Sequence, residues 1–132
     1  DLHSFPTRRS SDLTDTIHRV KFKEGVDKKL ATVSFLNSLT FAFSEVTGRS
    51  YGGGVMTFEP SETAEIQIPN FDNFAIDFNE IDDLIRKKEI EKVLDIIDDA
   101  LLIKHHGFSK EEVNQMRRIW KKLSQRRINR KR

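Results

Sequence analysis

Apolar positions change their spacing several times along the chain, and each change marks an element. Over residues 16–23 they alternate: Val20 and Phe22 fall on one side, Arg19, Lys21 and Lys23 on the other. That period of two predicts a half-buried strand, ended by Gly25. Over residues 27–46 the steps become three and four, through Leu30, Val33, Leu36, Leu39, Phe43 and Val46, which predicts one long helix. Phe35 and Phe41 widen its apolar face, so this helix is expected to be largely buried. Gly48 is placed to stop it as a C-cap glycine with positive φ. Short extended pieces are predicted over residues 55–58 and 65–68, on either side of a turn at Pro60-Ser61-Glu62.

The second half reads as helix. Asn79 is placed to cap a helix over residues 80–88, lined by Ile81, Leu84 and Ile85. A second helix over residues 90–106 carries Val93, Leu94, Ile97, Leu101 and Leu102 inward and ends at Gly107. Ser109 and Glu112 form a capping box, each side chain accepting the other residue's free backbone N–H. The helix that follows turns Val113, Met116, Trp120 and Leu123 inward. The expected fold class is α+β: small sheet pieces with one buried helix, then a helical C-terminal subdomain. The expected division is residues 14–76 for the α+β segment and 77–132 for the helical one.

Residues 1–13 stand apart. Asp-Leu-His-Ser-Phe-Pro-Thr-Arg-Arg-Ser-Ser-Asp-Leu is, residue for residue, the translation of a common sequencing-adapter string. Such a segment is set aside from fold reasoning, so Arg8 and Arg9 carry no functional weight. Its two acids cancel its two arginines, and the net charge of +2 is unchanged without it. That small total hides an asymmetry. Residues 72–99 hold ten acids against four Lys or Arg, whereas residues 113–132 hold nine cations and no acid. The chain has no Cys, hence no disulfide framework, thiolate metal site or Cys nucleophile. No apolar run reaches the roughly 18 residues of a membrane span. A soluble, intracellular chain is expected.

One segment points to a function. Residues 36–69 run from an Asn37-Ser38 helix through Gly48-Arg49-Ser50-Tyr51-Gly52-Gly53-Gly54 to Pro60-Ser61-Glu62 and Ile68-Pro69. This stretch resembles the C-terminal region of adenine-specific, S-adenosylmethionine-dependent DNA methyltransferases of restriction–modification systems. The resemblance extends over residues 14–132, through Gly107-Phe108-Ser109-Lys110-Glu111-Glu112 and the terminal Arg cluster. It departs at Glu45-Val46-Thr47, where a more aliphatic approach is usual, and at Gln67, where Pro is frequent. The resemblance implies a prokaryotic cytoplasmic enzyme. This chain would be the part that recognises and clamps double-stranded DNA, beside a separate catalytic domain that holds S-adenosylmethionine.

The residues here do not supply the family's chemistry. Methyl transfer to the adenine amino group uses an Asn- or Asp-Pro-Pro-aromatic loop, whose oxygens accept from the amino group and whose ring stacks on the extruded base. Beyond residue 13 the only prolines are Pro60 and Pro69, which are not adjacent. Gly52-Gly53-Gly54 follows a helix and precedes a strand, the reverse of a cofactor-binding strand–turn–helix. No catalytic, metal-ligating or cofactor-binding residue is therefore assigned, and the chain alone is expected to transfer no methyl group.

Candidate DNA-binding residues remain. In the glycine loop, Arg49 and Ser50 with Tyr51, Gly52, Gly53 and Gly54 offer a charge, a ring and free N–H groups to a phosphate backbone. A tight turn, or a contact with the catalytic domain, needs the same residues. Arg19 is a candidate if its strand lies beside the loop, and otherwise a solvated side chain. The tail supplies Arg118, Lys121, Lys122, Arg126, Arg127 and Arg130, either as phosphate contacts or as a solvated helix face. Asp82, Asp83, Asp95, Asp98 and Asp99 read as a solvated outer face near Lys87, Lys88 and Lys92. His105 and His106, adjacent on a helix, point apart and share no metal. Two other functions stay open: a non-enzymatic DNA-binding specificity module, and a scaffold whose acidic and basic helices pair with a partner protein.

Overall fold

A computed structural model describes residues 19–50 and 56–129, apart from the side chains of Arg49 and Ser50. The elements are α1 Lys28–Val33, α2 Ser38–Thr47, β1 Arg49–Ser50, β2 Met56–Thr57, α3 Pro60–Thr63, α4 Phe78–Arg86 and α5 Ile90–Ile97. α5 continues without a break into a π-helix, π1 Asp98–His105, and α6 Lys110–Asn129 closes the order. The protein is thus mostly helical. Among the described residues β structure is confined to one antiparallel pair, Arg49 opposite Thr57 and Ser50 opposite Met56, so the expected sheet pieces shrink to this hairpin.

The predicted first strand is not formed over residues 19–23, and Val20 stays 55% exposed. A short alternating run needs a neighbouring strand to take its N–H and C=O groups, and the described residues supply none beside it. The rest of that run, residues 16–18, lies outside the described residues, as do the other residues before it.

The long helix predicted over residues 27–46 is two helices. Asp27 caps α1 by accepting from the Leu30 N–H at 3.1 Å. Asn37 caps α2: its Oδ1 accepts from the Thr40 N–H at 2.8 Å, while its Nδ2 donates to the Ser34 carbonyl at 2.6 Å. One fully buried side chain thereby satisfies the end of α1 and the start of α2. The break resets the helical face. Ser38 and Ala42 are buried, whereas Phe43 and Val46, which one unbroken helix would turn inward, are 40% and 70% exposed. Asn37→Ala is expected to cost about 1–2 kcal/mol, read as a lower midpoint of urea unfolding.

Gly48 ends α2, but with φ −70°, in extended backbone rather than the positive φ predicted. Its role is close approach. A Cβ there would lie 2.8 Å from Met56 Cγ and 3.0 Å from the Ser44 carbonyl oxygen. Gly48→Ala is therefore expected to push the two strands apart and cost about 1–3 kcal/mol, measured by thermal unfolding.

Pro60 begins the single turn α3, as its sequence predicts. Residues 65–68 form no paired strand. The chain then threads Phe71, Phe74, Ile76 and Phe78 against a core built on Val33, Ile81, Val93, Ile97 and Leu101. This core crosses the expected boundary at residue 76, with Val33 on one side and Ile81 on the other. α4 is capped by Asp77, not Asn79: Asp77 Oδ1 accepts from the N–H groups of Asn79 and Glu80 at 3.0 and 3.2 Å. Ile81 is buried, but Ile85 is 44% exposed.

Burial along α5 and π1 follows steps of four. Val93, Ile97 and Leu101 make one row, and Leu94, Asp98 and Leu102 make the next; all six are 0–2% exposed. In an α-helix such rows drift around the axis; the wider π winding straightens them, and both stay inside. Gly107, at φ 79°, ends the element and lets the Phe108 N–H reach back to the Leu102 carbonyl at 2.9 Å. The capping box then forms as predicted, with Ser109 N–H donating to Glu112 at 2.9 Å and Glu112 N–H donating to Ser109 Oγ at 3.0 Å. α6 lies along α2, where Phe41 meets Trp120 edge-on with ring centres 5.4 Å apart.

Candidate nucleic-acid interface

The helix that leads into the glycine loop is held at its first residue. Ser38 opens α2, and its N–H donates to Asp98 Oδ1 at 2.7 Å while its hydroxyl donates to Asp98 Oδ2 at 2.5 Å. A carboxylate there meets both a free N–H and the positive end of the helix dipole. Arg117, on α6, completes the group: its guanidinium donates to Ser38 Oγ at 3.0 Å and to Asp98 Oδ2 at 2.9 Å. Asp95 joins from the solvent side at 3.0 Å and Glu91 at 3.8 Å. Burial pulls the Arg117 pKa down, but the hydrogen bonds and charges of Asp98 and Asp95 outweigh it and hold the pKa above the usual guanidinium value. Arg117 is a cation at any working pH.

The other end of α2 has its own clamp. Arg127 grips Glu45 with two bonds, Nε to Oε1 at 3.0 Å and one terminal nitrogen to Oε2 at 2.7 Å. The Glu45 side chain is only 4% exposed. The hydrogen bond that Arg127 donates to Glu45 raises the Arg127 pKa, against a smaller opposing effect of burial. Ser38–Arg117, Phe41–Trp120 and Glu45–Arg127 ascend together, so α2 and α6 run in the same direction, locked at both ends by charge and in the middle by rings. Laterally, Thr40 Oγ1 donates to the Gln67 carbonyl at 2.7 Å and ties α2 to the stretch that follows α3. α2 is thus braced against the C-terminal helices along its whole length.

Asp98 corrects its sequence reading. It was expected on a solvated acidic face; it is 2% exposed and is the anchor of the network. The signal was present four residues to either side, where Leu94 and Leu102 share its row. Asp82, Asp83, Asp95 and Asp99 are exposed as expected, with Asp82 paired to Arg86 and Asp83 to Lys87 at 2.9 Å each.

The predicted DNA-binding residues separate into groups. Arg19 lies in the irregular segment before α1, where the described residues form no strand for β1 to pair with. Arg49 and Ser50 form β1 and pair across to β2. Tyr51, Gly52, Gly53 and Gly54 lie outside the described residues, as does Arg130. On α6, Arg118, Lys122 and Arg126 are exposed. Lys121 is exposed too, but sits 2.7 Å from Glu91, and this hydrogen bond holds the Glu91 pKa below the usual carboxylate value. Arg127 faces inward on Glu45. The acidic and basic stretches of the sequence therefore meet each other, within the chain, where α6 passes α5 and π1.

Residues 9–102 match the family model described as Type II methyltransferase M.Eco57I, C-terminal domain. The chain belongs to this family. No curated protein and no solved structure matches it. The family match starts at residue 9, takes in the whole segment 36–69, and ends at Leu102 inside π1. In this methyltransferase C-terminal domain, Asp98 and Ser38 fall within the matched residues, whereas Arg117 and all of α6 fall beyond them. Among the described residues no helix is long and apolar enough to cross a membrane, and no group of three or more His, Cys, Asp or Glu is placed to hold a metal ion.

Proposed function

We propose that this chain is the DNA-recognition and clamping portion of a site-specific adenine methyltransferase of a restriction–modification system. The family match carries the reading, because it places residues 9–102 in the C-terminal domain of a Type II methyltransferase. The bracing of α2 supports it: a reading loop must be held on a rigid element to keep its register on a duplex. Arg49 and Ser50 follow α2, the helix fixed by Asp98, Arg117 and Arg127, and Tyr51 to Gly54 come next in the sequence.

S-adenosylmethionine belongs to another part of the enzyme in this account. The described residues do not fit it: β1 and β2 are two residues each, and neither feeds a strand–turn–helix that would present a helix N-terminus to the cofactor. Methyl transfer to the adenine amino group would occur there, while this domain holds the duplex.

Selection from a pool of random duplexes tests the recognition role. The full chain is expected to enrich a short motif that contains adenine. A chain that retains duplexes while enriching no motif would reduce the domain to a clamp, and one that retains none would sink the DNA reading in favour of a protein-binding scaffold.

A further inference from the structure

The tail reads in sequence as one basic block, but the structure divides it. Six of its cations are described, and three are used internally. Arg117 is held by Asp98 and Asp95, Lys121 by Glu91, and Arg127 by Glu45. The other three, Arg118, Lys122 and Arg126, are exposed, and none is within ion-pair distance of a carboxylate among the described residues. They stand four residues apart, so they form one row about 12 Å long on the side of α6 opposite Trp120.

We propose that this row is a phosphate-contacting surface for double-stranded DNA, and that Arg117, Lys121 and Arg127 hold the helix in place beneath it. The proposal rests on the DNA-holding reading above and names the surface that does the holding. A duplex strand rises about 3.4 Å per phosphate along the axis while winding around it, so a straight row of about 12 Å meets about three phosphates of one strand. Two of the three cations are arginines, whose forked donors match phosphate oxygens. Gln115, Gln125 and Asn129 lie on the same side and add neutral donors of the kind that bond phosphate and sugar. Helical spacing puts one carboxylate of α6 on that side, Glu111, about 10 Å before Arg118.

The partner is a duplex rather than a single strand or a protein. Bases of a single strand need aromatic platforms, and Trp120, the one aromatic residue of α6, is turned inward onto Phe41. A protein partner needs an aromatic or aliphatic anchor at the centre of its patch; the exposed apolar residues of α6, Ile119 and Ile128, stand to either side of the row and not within it. The surface also lies wholly beyond the residues matched by the family model.

The test compares two variants of equal charge in the full chain, read by fluorescence anisotropy on a mixed-sequence duplex. One carries Arg118→Gln, Lys122→Gln and Arg126→Gln; the other carries Lys23→Gln, Lys28→Gln and Lys29→Gln, all exposed and distant in sequence from the row. Both are expected to keep the unfolding midpoint of the unaltered chain. Removing three phosphate contacts should flatten the slope of log affinity against log salt by about 2.7. Equivalently, between 50 and 200 mM salt the unaltered chain should lose about 40-fold more affinity than the row variant. The second variant should retain a slope within about 1 of the original. Equal flattening by both variants would overturn the proposal in favour of diffuse charge. A row variant with unchanged affinity and slope would overturn it too, while leaving the DNA reading in place. Absence of any duplex affinity in the unaltered chain would overturn both.

Discussion

Asp98→Ala is expected to destabilise the chain by about 3–5 kcal/mol, the usual cost of removing one partner from a buried ion pair. The change takes from Arg117 its most buried partner, leaving Asp95 on the solvent side, and strips the Ser38 N–H and hydroxyl of their acceptor at once. Each unsatisfied buried group adds its own desolvation cost. Leu94 and Leu102, above and below it in the same row, cannot replace a carboxylate. Combining Asp98→Leu with Arg117→Met should cost less than Asp98→Ala alone, because no unpaired buried charge remains. Urea unfolding of the single and double variants measures both. An Asp98→Ala loss within about 0.5 kcal/mol, the range of ordinary surface changes, would show that Asp98 is solvated as its charge suggests in sequence.

Arg127→Ala is expected to cost about 2–4 kcal/mol, since it leaves Glu45, whose side chain is 4% exposed, without this ion-pair partner. Arg118→Ala, nine residues earlier on the same helix, should stay within about 0.5 kcal/mol. The order reverses for DNA. Arg118→Ala should weaken duplex binding uniformly across sequences, by removing one phosphate contact. A conservative Arg127→Lys keeps the charge but loses the two-pronged grip, so it too should lower stability. Equal unfolding midpoints for Arg127→Ala and Arg118→Ala would contradict the division of the tail into internal and external cations.

Local signals carried much of the helical half. The Ser109–Glu112 box, the stop at Gly107, the turn at Pro60 and the inward set Val113, Met116, Trp120 and Leu123 were legible because each depends on residues within a turn of one another. Failures came where a competing local bond or a distant partner decides. The apolar row from Leu30 to Val46 is continuous in spacing, but Asn37 competes for the Ser34 carbonyl and the Thr40 N–H, and local side-chain bonding of this kind ends a helix. Alternation over residues 16–23 describes a strand only if another strand pairs with it. Gly48 was read for its φ, whereas its need is room for Met56 across the hairpin.

The candidate site shows the same division. The segment 36–69 was recognisable from its own residues, and the family match covers it. Its bracing was not, because Ser38 and Asp98 are 60 residues apart and Ser38 and Arg117 are 79 apart. A run of acids and a run of cations look like two outward surfaces in a linear sequence. Folding brings them together, and of the six described cations of the tail Arg118, Lys122 and Arg126 are left exposed and outside these pairs.

The most direct test of a DNA-holding domain is equilibrium binding of the full chain to a mixed-sequence duplex over a salt series, read by fluorescence anisotropy. The account predicts saturable binding with a dissociation constant on the order of micromolar at about 50 mM salt, weakening linearly in log–log form as salt rises. No binding at about 100 µM protein under the same conditions would contradict it.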